Sequence, residues 1–332
     1  MIDPKLPLID LHHHLDGSLR LETILDLGLK YNLPLPAKTL TGLRPFVQVS
    51  TPQPGVMAFI EKFEWMTRVL VDYDACRRVA YENVEDAALE GLDYIELRYS
   101  PWFMAEAHHL IPAGVVEAVT DGIRSGERDF KLCANQIGIL SRHYGQEIAM
   151  QELDALLTMR EAFVGLDLAG DEANFPAVMF VEHFKRAREV GWHITVHAGE
   201  SAGAESIWQA IRELGAERIG HAARAPEDPA LLDYIKEHGI GIECNLTSNV
   251  QTTTVKDYAS HPMRLFMEKG LLATLNTDDP GISAIDLHYE YNVAAPKAGL
   301  TDAMTRQAQA NALTVAFLTK EEKKKLSKSR CA

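Results

Sequence analysis

LPLIDLHHHLDG, residues 6–17, is a short apolar run that opens into His12, His13 and His14 and then an acidic turn. As a strand it alternates its side chains between two faces, so His12 and His14 point one way and His13 the other. Two imidazoles on one face, roughly 6 to 7 Å apart along the backbone, can converge on one metal ion. An isolated His-x-His is equally consistent with a polar strand terminus, so the remaining strands decide.

Seven further short apolar, β-branched runs follow. They are DYIELRYS from Asp93, LCANQIGILS from Leu132, FVGLDLAG from Phe163, WHITVHAG from Trp192, RIGHA from Arg218, GIGIECN from Gly239 and LLATLNTDDP from Leu271. Between most of them lie amphipathic segments such as AESIWQAIRELGA and PALLDYIKEHG, apolar at three- and four-residue steps and ending at Gly. Strands alternating with helices imply a parallel sheet, and eight such units predict an α/β fold, a (β/α)8 TIM barrel. The competing open, doubly wound sheet is disfavoured because no Gly-x-Gly-x-x-Gly follows any strand. Arg20 to Leu92 is too long for one helix and is expected to form a helical insertion, a cap over about residues 20–92, between the first two strands. No Ser/Gly-rich or Pro-rich linker divides the chain, so residues 1–332 are expected to form a single domain. The final EEKKKLSKSR reads as a solvated helix end or frayed tail.

The 332 residues are 46% hydrophobic and 24% charged, as in ordinary globular proteins. A net charge of −14 opposes non-specific binding to nucleic acid or anionic membranes and favours a neutral or cationic small substrate. No obligate protein partner is indicated. No run approaches the roughly 18 apolar residues of a membrane span, and the N-terminus lacks the basic-then-apolar order of a signal peptide. A cytoplasmic location is therefore expected. Cys76, Cys133, Cys244 and Cys331 are far apart and form no Cys-x-x-Cys pair, so buried free thiols are expected, and any metal must be held by His and carboxylate.

In such a barrel the reactive groups sit where strands end. Strand one ends in His12 and His14, strand five in His197-Ala-Gly-Glu200, strand six in His221 and strand eight in Asp278-Asp279. Two histidines from one strand, with a further histidine and a carboxylate from others, complete a nitrogen and oxygen metal site with a position for water. Zinc suits it best; iron, cobalt and manganese accept the same donors. Glu200, three residues past a candidate ligand, is placed to give a proton to the leaving side of the reaction. His221 is placed either to take the water's proton or to orient the hydroxide, and Asp279 to accept a hydrogen bond. Other polar residues read more simply. Glu205, Glu213 and Glu217 form a solvated helix face, His108-His109 pack or cap, His193 fills a lower barrel layer, and His261 before Pro262 has no evident role.

At these residues the chain resembles the bacterial-type adenosine deaminases of the adenosine/AMP deaminase family of metal-dependent amidohydrolases. The resemblance runs from about Leu6 to Phe317. It rests on HHHLDG at His12, LDLAGDE at Leu166, HAGE at His197, GHA at Gly220, TSN at Thr247 and NTDDP at Asn276. It implies one zinc per chain on His12, His14, His197 and Asp278, and a purine whose ring nitrogen 1 is protonated by Glu200. His221 would orient the attacking hydroxide toward carbon 6, and ammonia would leave to give inosine. Asp279 would contact the imidazole-ring nitrogen and help hold the hydroxide, Asp16 would contact the ribose hydroxyls and the Gly170 backbone ring nitrogen 3, while His14 would also touch the nucleoside. The implied substrates are adenosine and 2′-deoxyadenosine, in purine salvage.

Two positions depart from the family pattern. Ala222 follows His221 where Gly is common, and Asn245 follows Cys244 where Pro is common. Three alternative functions remain open at this point. One is a deaminase of the same family acting on adenine or a modified adenosine, which Asp16 and the Gly170-Asp171-Glu172 run disfavour because the resemblance sets them at the sugar and purine edge. Another is a metal phosphoesterase, with Arg98 and Arg142 as its only strand-end cations. The last is a barrel that binds nucleoside or metal without turnover.

Overall fold

The computed structural model describes residues 2–329. Eight parallel strands follow one another around a sheet in chain order: β1 Ile9–His14, β2 Tyr94–Tyr99, β3 Cys133–Ser141, β4 Phe163–Ala169, β5 His193–Ala198, β6 Arg218–His221, β7 Gly241–Cys244 and β8 Leu272–Leu275. The circle closes beyond the end of β8. The His14 N–H donates to the Asp278 carbonyl at 2.7 Å, and the Asp278 N–H to the His12 carbonyl at 2.8 Å. The same two hydrogen bonds that shut the barrel thus set three candidate site residues side by side.

Strand alternation separates two kinds of interior. Ile95, Leu97, Leu166, Leu168, Ile194, Val196, Ile219 and Ile242 are buried under the outer helices. The intervening residues meet inside the barrel as buried charges. Arg98 donates to Asp167 at 2.8 Å and to Glu243 at 2.9 Å, and Arg218 donates to Glu243 at 2.6 Å and to Glu96. Burying such ions is costly unless every charge is paired, and here each has a partner. This network forms the floor below the mouth at which His12, His14 and Asp278 meet.

The long connection after β1 contains α1 Leu21–Lys30, α2 Leu40–Val47, α3 Val56–Ile60, α4 Glu64–Arg68 and α5 Tyr73–Leu89. The expected cap therefore stops earlier than Leu92. The helix α5, whose first turn is capped by the Asp72 carboxylate accepting the Ala75 N–H, packs along the outer barrel helix Pro112–Phe130, where a Cβ on Gly122 would meet the Arg77 carbonyl at 2.3 Å. It is the ordinary crossover helix between β1 and β2. Of this connection, α3 and the turn after it reach the mouth, through Val56, Phe59, Ile60 and Phe63.

Three smaller expectations are corrected. His193, the first residue of β5, is exposed at the opposite mouth of the barrel and does not fill a lower layer; its ring pairs with Glu217 at 2.9 Å and stacks on Phe317. Glu217 accordingly lies just before β6, off the solvated helix face on which Glu205 and Glu213 sit. Cys76 and Cys244 are buried free thiols as expected, whereas Cys133 is exposed, and Cys331 lies outside the described residues. The chain end runs on as a helix, Lys320–Ser329. No described helix is long and apolar enough to cross a membrane.

Candidate active site

Four side chains from three strand ends converge at the mouth. His12 Nε2 and His14 Nε2 each lie 3.1 Å from His197 Nε2, while Asp278 Oδ1 is 3.1 Å from His12 Nε2 and 3.3 Å from His14 Nε2. A tetrahedral ion with bonds of about 2.0 to 2.1 Å has neighbouring ligand atoms about 3.3 Å apart. These four separations match the edges of such a site, and His221 too offers a ring nitrogen within 4.8 Å of ligand atoms of His12, His197 and Asp278. The outer nitrogens agree: His12 Nδ1 donates to Glu243 at 2.7 Å and His197 Nδ1 to Asp167 at 2.9 Å, which turns both Nε2 lone pairs inward. Burial holds the His197 imidazole down to about 4, in its neutral, coordinating form.

His221 stands beside this cluster but farther out. Its Nε2 is 3.9 Å from Asp278 Oδ2 and 3.7 Å from Glu200 Oε2, which places it between the candidate ligands and the candidate acid. Burial pushes its imidazole well below the usual range, so the ring is neutral. Burial first, then the charges of Asp278, Glu172 and Asp279, pushes the Glu200 carboxyl well above the ordinary carboxylate range. Asp279 is pushed up as well, by burial and by the adjacent Asp278. A neutral imidazole and a protonated carboxyl next to a cluster of metal donors are the parts needed for hydrolysis with proton donation.

The local backbone is built for crowding. His221, Ala222 and Asp278 all adopt left-handed φ angles, of 65°, 51° and 65°. The departure at Ala222 thus falls where glycine would be unstrained. A Cβ on Gly17 would lie 1.9 Å from Asp279 Oδ1, and one on Gly220 would lie 2.9 Å from the His12 ring. Glycine at both positions admits a reacting side chain.

Around the cluster lies a cavity walled by both polar and apolar side chains. His14, Asp16, Gly170, His197, Glu200, His221, Asp278 and Asp279 all line it, so every predicted site residue except His12, which sits beneath, faces this space. One oxygen of Asp16 accepts the Ser100 N–H at 3.0 Å and its other oxygen lies 3.8 Å from His14 Nδ1, while Oδ1 of Asp279 is buried with no hydrogen-bond partner in the protein. Val56, Phe59, Ile60, Phe63 and Phe103 make an apolar wall opposite. Arg98 is consumed by Asp167, Glu243 and the Leu11 carbonyl, and Arg142 by the carbonyls of Leu168 and His197. Neither is open to a phosphate.

Sequence reasoning passed over two supports. Glu172, which it set at the substrate, instead accepts the backbone N–H groups of Gly199 (2.6 Å), Glu200 (3.1 Å), Ser201 (2.8 Å) and Ala202 (3.0 Å), so it holds the loop that carries Glu200. His261 and Asn249 form a buried chain to His221. An acidic residue five positions past a strand-end aspartate was visible, but its partners are backbone amides and leave no side-chain pattern.

The adenosine deaminase family model matches residues 7–330. The chain belongs to the adenosine deaminase family. An adenosine deaminase of Klebsiella pneumoniae (strain 342) is 59% identical over 323 residues, 97% of each chain, and one of Yersinia enterocolitica is 58% identical over 326 residues, 98% of each. Among solved structures, the N6-methyl-AMP deaminase from Arabidopsis thaliana is 28% identical with a TM-score of 0.83, covering 99% of this chain and 97% of that one. An adenine deaminase from Arthrobacter aurescens, 24% identical with a TM-score of 0.90 and 98% of both chains covered, shares the fold. In this adenosine deaminase family member, strand ends one, five, six and eight bring the HHHLDG, HAGE, GHA and NTDDP motifs to one mouth of the barrel.

Proposed function

We propose that this chain hydrolyses adenosine and 2′-deoxyadenosine at carbon 6, giving inosine or 2′-deoxyinosine and ammonia, with one zinc ion per chain held by His12, His14, His197 and Asp278. We further place the reaction in cytoplasmic purine salvage, the role the resemblance implied. When bound, the ion supplies a water-derived nucleophile at neutral pH. The protein supplies the rest. Glu200, protonated by its buried surroundings, donates to ring nitrogen 1 and draws electron density from carbon 6. His221 holds the nucleophile on the face toward Glu200. Asp279, which lines the cavity, takes the imidazole edge of the purine, with Gly170 at nitrogen 3 and His14 beside the nucleoside. Asp16, which lines the same cavity, takes the ribose hydroxyls.

The observation that carries this reading is the pairing of four metal donors with a protonated Glu200 inside a cavity whose described lining contains no Lys or Arg. A nucleoside fits such a lining and a nucleotide does not, because a phosphate would enter without a cationic partner. The same absence disfavours a phosphoesterase. Adenine itself would leave Asp16 without its ribose partner, so a base-specific enzyme is the weaker reading. A panel of adenosine, 2′-deoxyadenosine, adenine, N6-methyladenosine and AMP, followed by ammonia release, tests the proposal. Adenosine and 2′-deoxyadenosine should be turned over fastest; faster deamination of adenine or AMP would reject it, and no ammonia from zinc-replete protein would favour a binding-only barrel.

A further inference from the structure

His261 has no role in the sequence reading, yet it is buried and both its ring nitrogens are committed. The Met263 N–H donates to His261 Nδ1 at 3.1 Å. A backbone N–H only donates, so Nδ1 is an acceptor and the proton of the neutral ring is on Nε2. Burial, which pushes the His261 imidazole down to about 3, keeps that ring neutral. Its Nε2 lies 3.1 Å from Asn249 Oδ1 and donates to it. The Asn249 amide is thereby oriented, with its NH₂ end 2.9 Å from His221 Nδ1. An amide NH₂ also only donates, so His221 Nδ1 is an acceptor. Asn245 Nδ2 approaches the same nitrogen at 3.3 Å.

The single proton of a neutral His221 therefore resides on Nε2, the nitrogen that faces Glu200 and Asp278. We infer that His261 and Asn249 are positioning residues that fix the tautomer of His221, so that His221 acts as a hydrogen-bond donor to the nucleophile and not as its base. An Nε2 that already holds a proton has no lone pair for the water's proton, and Nδ1 is turned toward amide hydrogens. Of the two roles open to His221 from sequence, the hydrogen-bond chain selects orientation. The tautomer is a property of the resting protein; only the identity of the oxygen it faces rests on the deaminase reading.

The test is long-range proton–nitrogen NMR on metal-loaded protein labelled with nitrogen-15 histidine, with the His221 signals assigned by their loss in His221→Gln. The expected spectrum has His221 protonated at Nε2 and bare at Nδ1; a proton on Nδ1 overturns the inference. Asn249→Asp keeps the shape but offers an acceptor to both histidines, and should move the His221 proton to Nδ1. Its kcat should fall about 10- to 100-fold with KM within about twofold and metal content unchanged, as for loss of a hydrogen bond to the transition state. His261→Leu should lower kcat about tenfold, and His261→Gln, whose amide can still donate to Asn249, should restore most of it. An Asn249→Asp enzyme with a shifted proton and wild-type kcat also overturns the inference. Failure of the wild-type protein to deaminate adenosine would remove the proposed function but leave the NMR result to decide the tautomer.

Discussion

Glu200 shows how a side chain's chemistry is set by its surroundings: desolvation, then three nearby carboxylates, keep it protonated where water would ionise it. The sign of the pH dependence follows. The active form carries the proton, so kcat/KM should fall as pH rises through the raised pKa of Glu200, and a rate that instead required deprotonation near the ordinary value would contradict the assignment. Glu200→Gln should retain one metal per chain and lose about 10²- to 10⁴-fold in kcat, read by elemental analysis beside turnover. Glu172→Ala strips four N–H groups of a common acceptor and should cost about 3 kcal/mol of stability in urea unfolding, the scale of hydrogen bonds to a charged group. At this scale the sequence was legible wherever a reactive residue sits at a strand end, as with His12, His197, His221 and Asp278. It was silent on Glu172, Asn249 and His261, whose meaning lies in backbone amides and a loop brought in by folding.

Among the elements, β1 carries the most information because each of its two faces has a separate task. His12 and His14 face the metal donors, while His13 points outward to Asn83 of α5 and Thr277, both at 3.1 Å. His13→Ala should therefore leave metal stoichiometry unchanged and cost about 1 to 3 kcal/mol, the penalty of an unsatisfied buried partner; loss of zinc in that variant would contradict the strand register. The period-two alternation of β1 was readable, and so was the order of all eight strands. The division between cap and crossover helix was not, because it is the packing of α5 on the neighbouring outer helix that assigns it to the barrel wall. The left-handed turns at His221 and Asp278 were likewise hidden, since neither residue is glycine.

For the whole molecule, charge and cavity point the same way. A chain of net charge −14 with no Lys or Arg among the described residues lining its pocket should discriminate against AMP relative to adenosine by at least about 100-fold in kcat/KM, the scale of an unpaired buried charge. The KM for neutral adenosine should hardly change with ionic strength. Barrel closure brings residues 12 and 278 together through two backbone hydrogen bonds, which is why a metal site spread over the chain could be anticipated from strand ends. The most direct measurement is the absorbance change on conversion of adenosine by the purified protein, repeated after chelation and again after return of one equivalent of zinc. The expected result is conversion to inosine, its loss on chelation and its recovery with zinc; unchanged turnover after verified metal removal would contradict the metal-dependent mechanism.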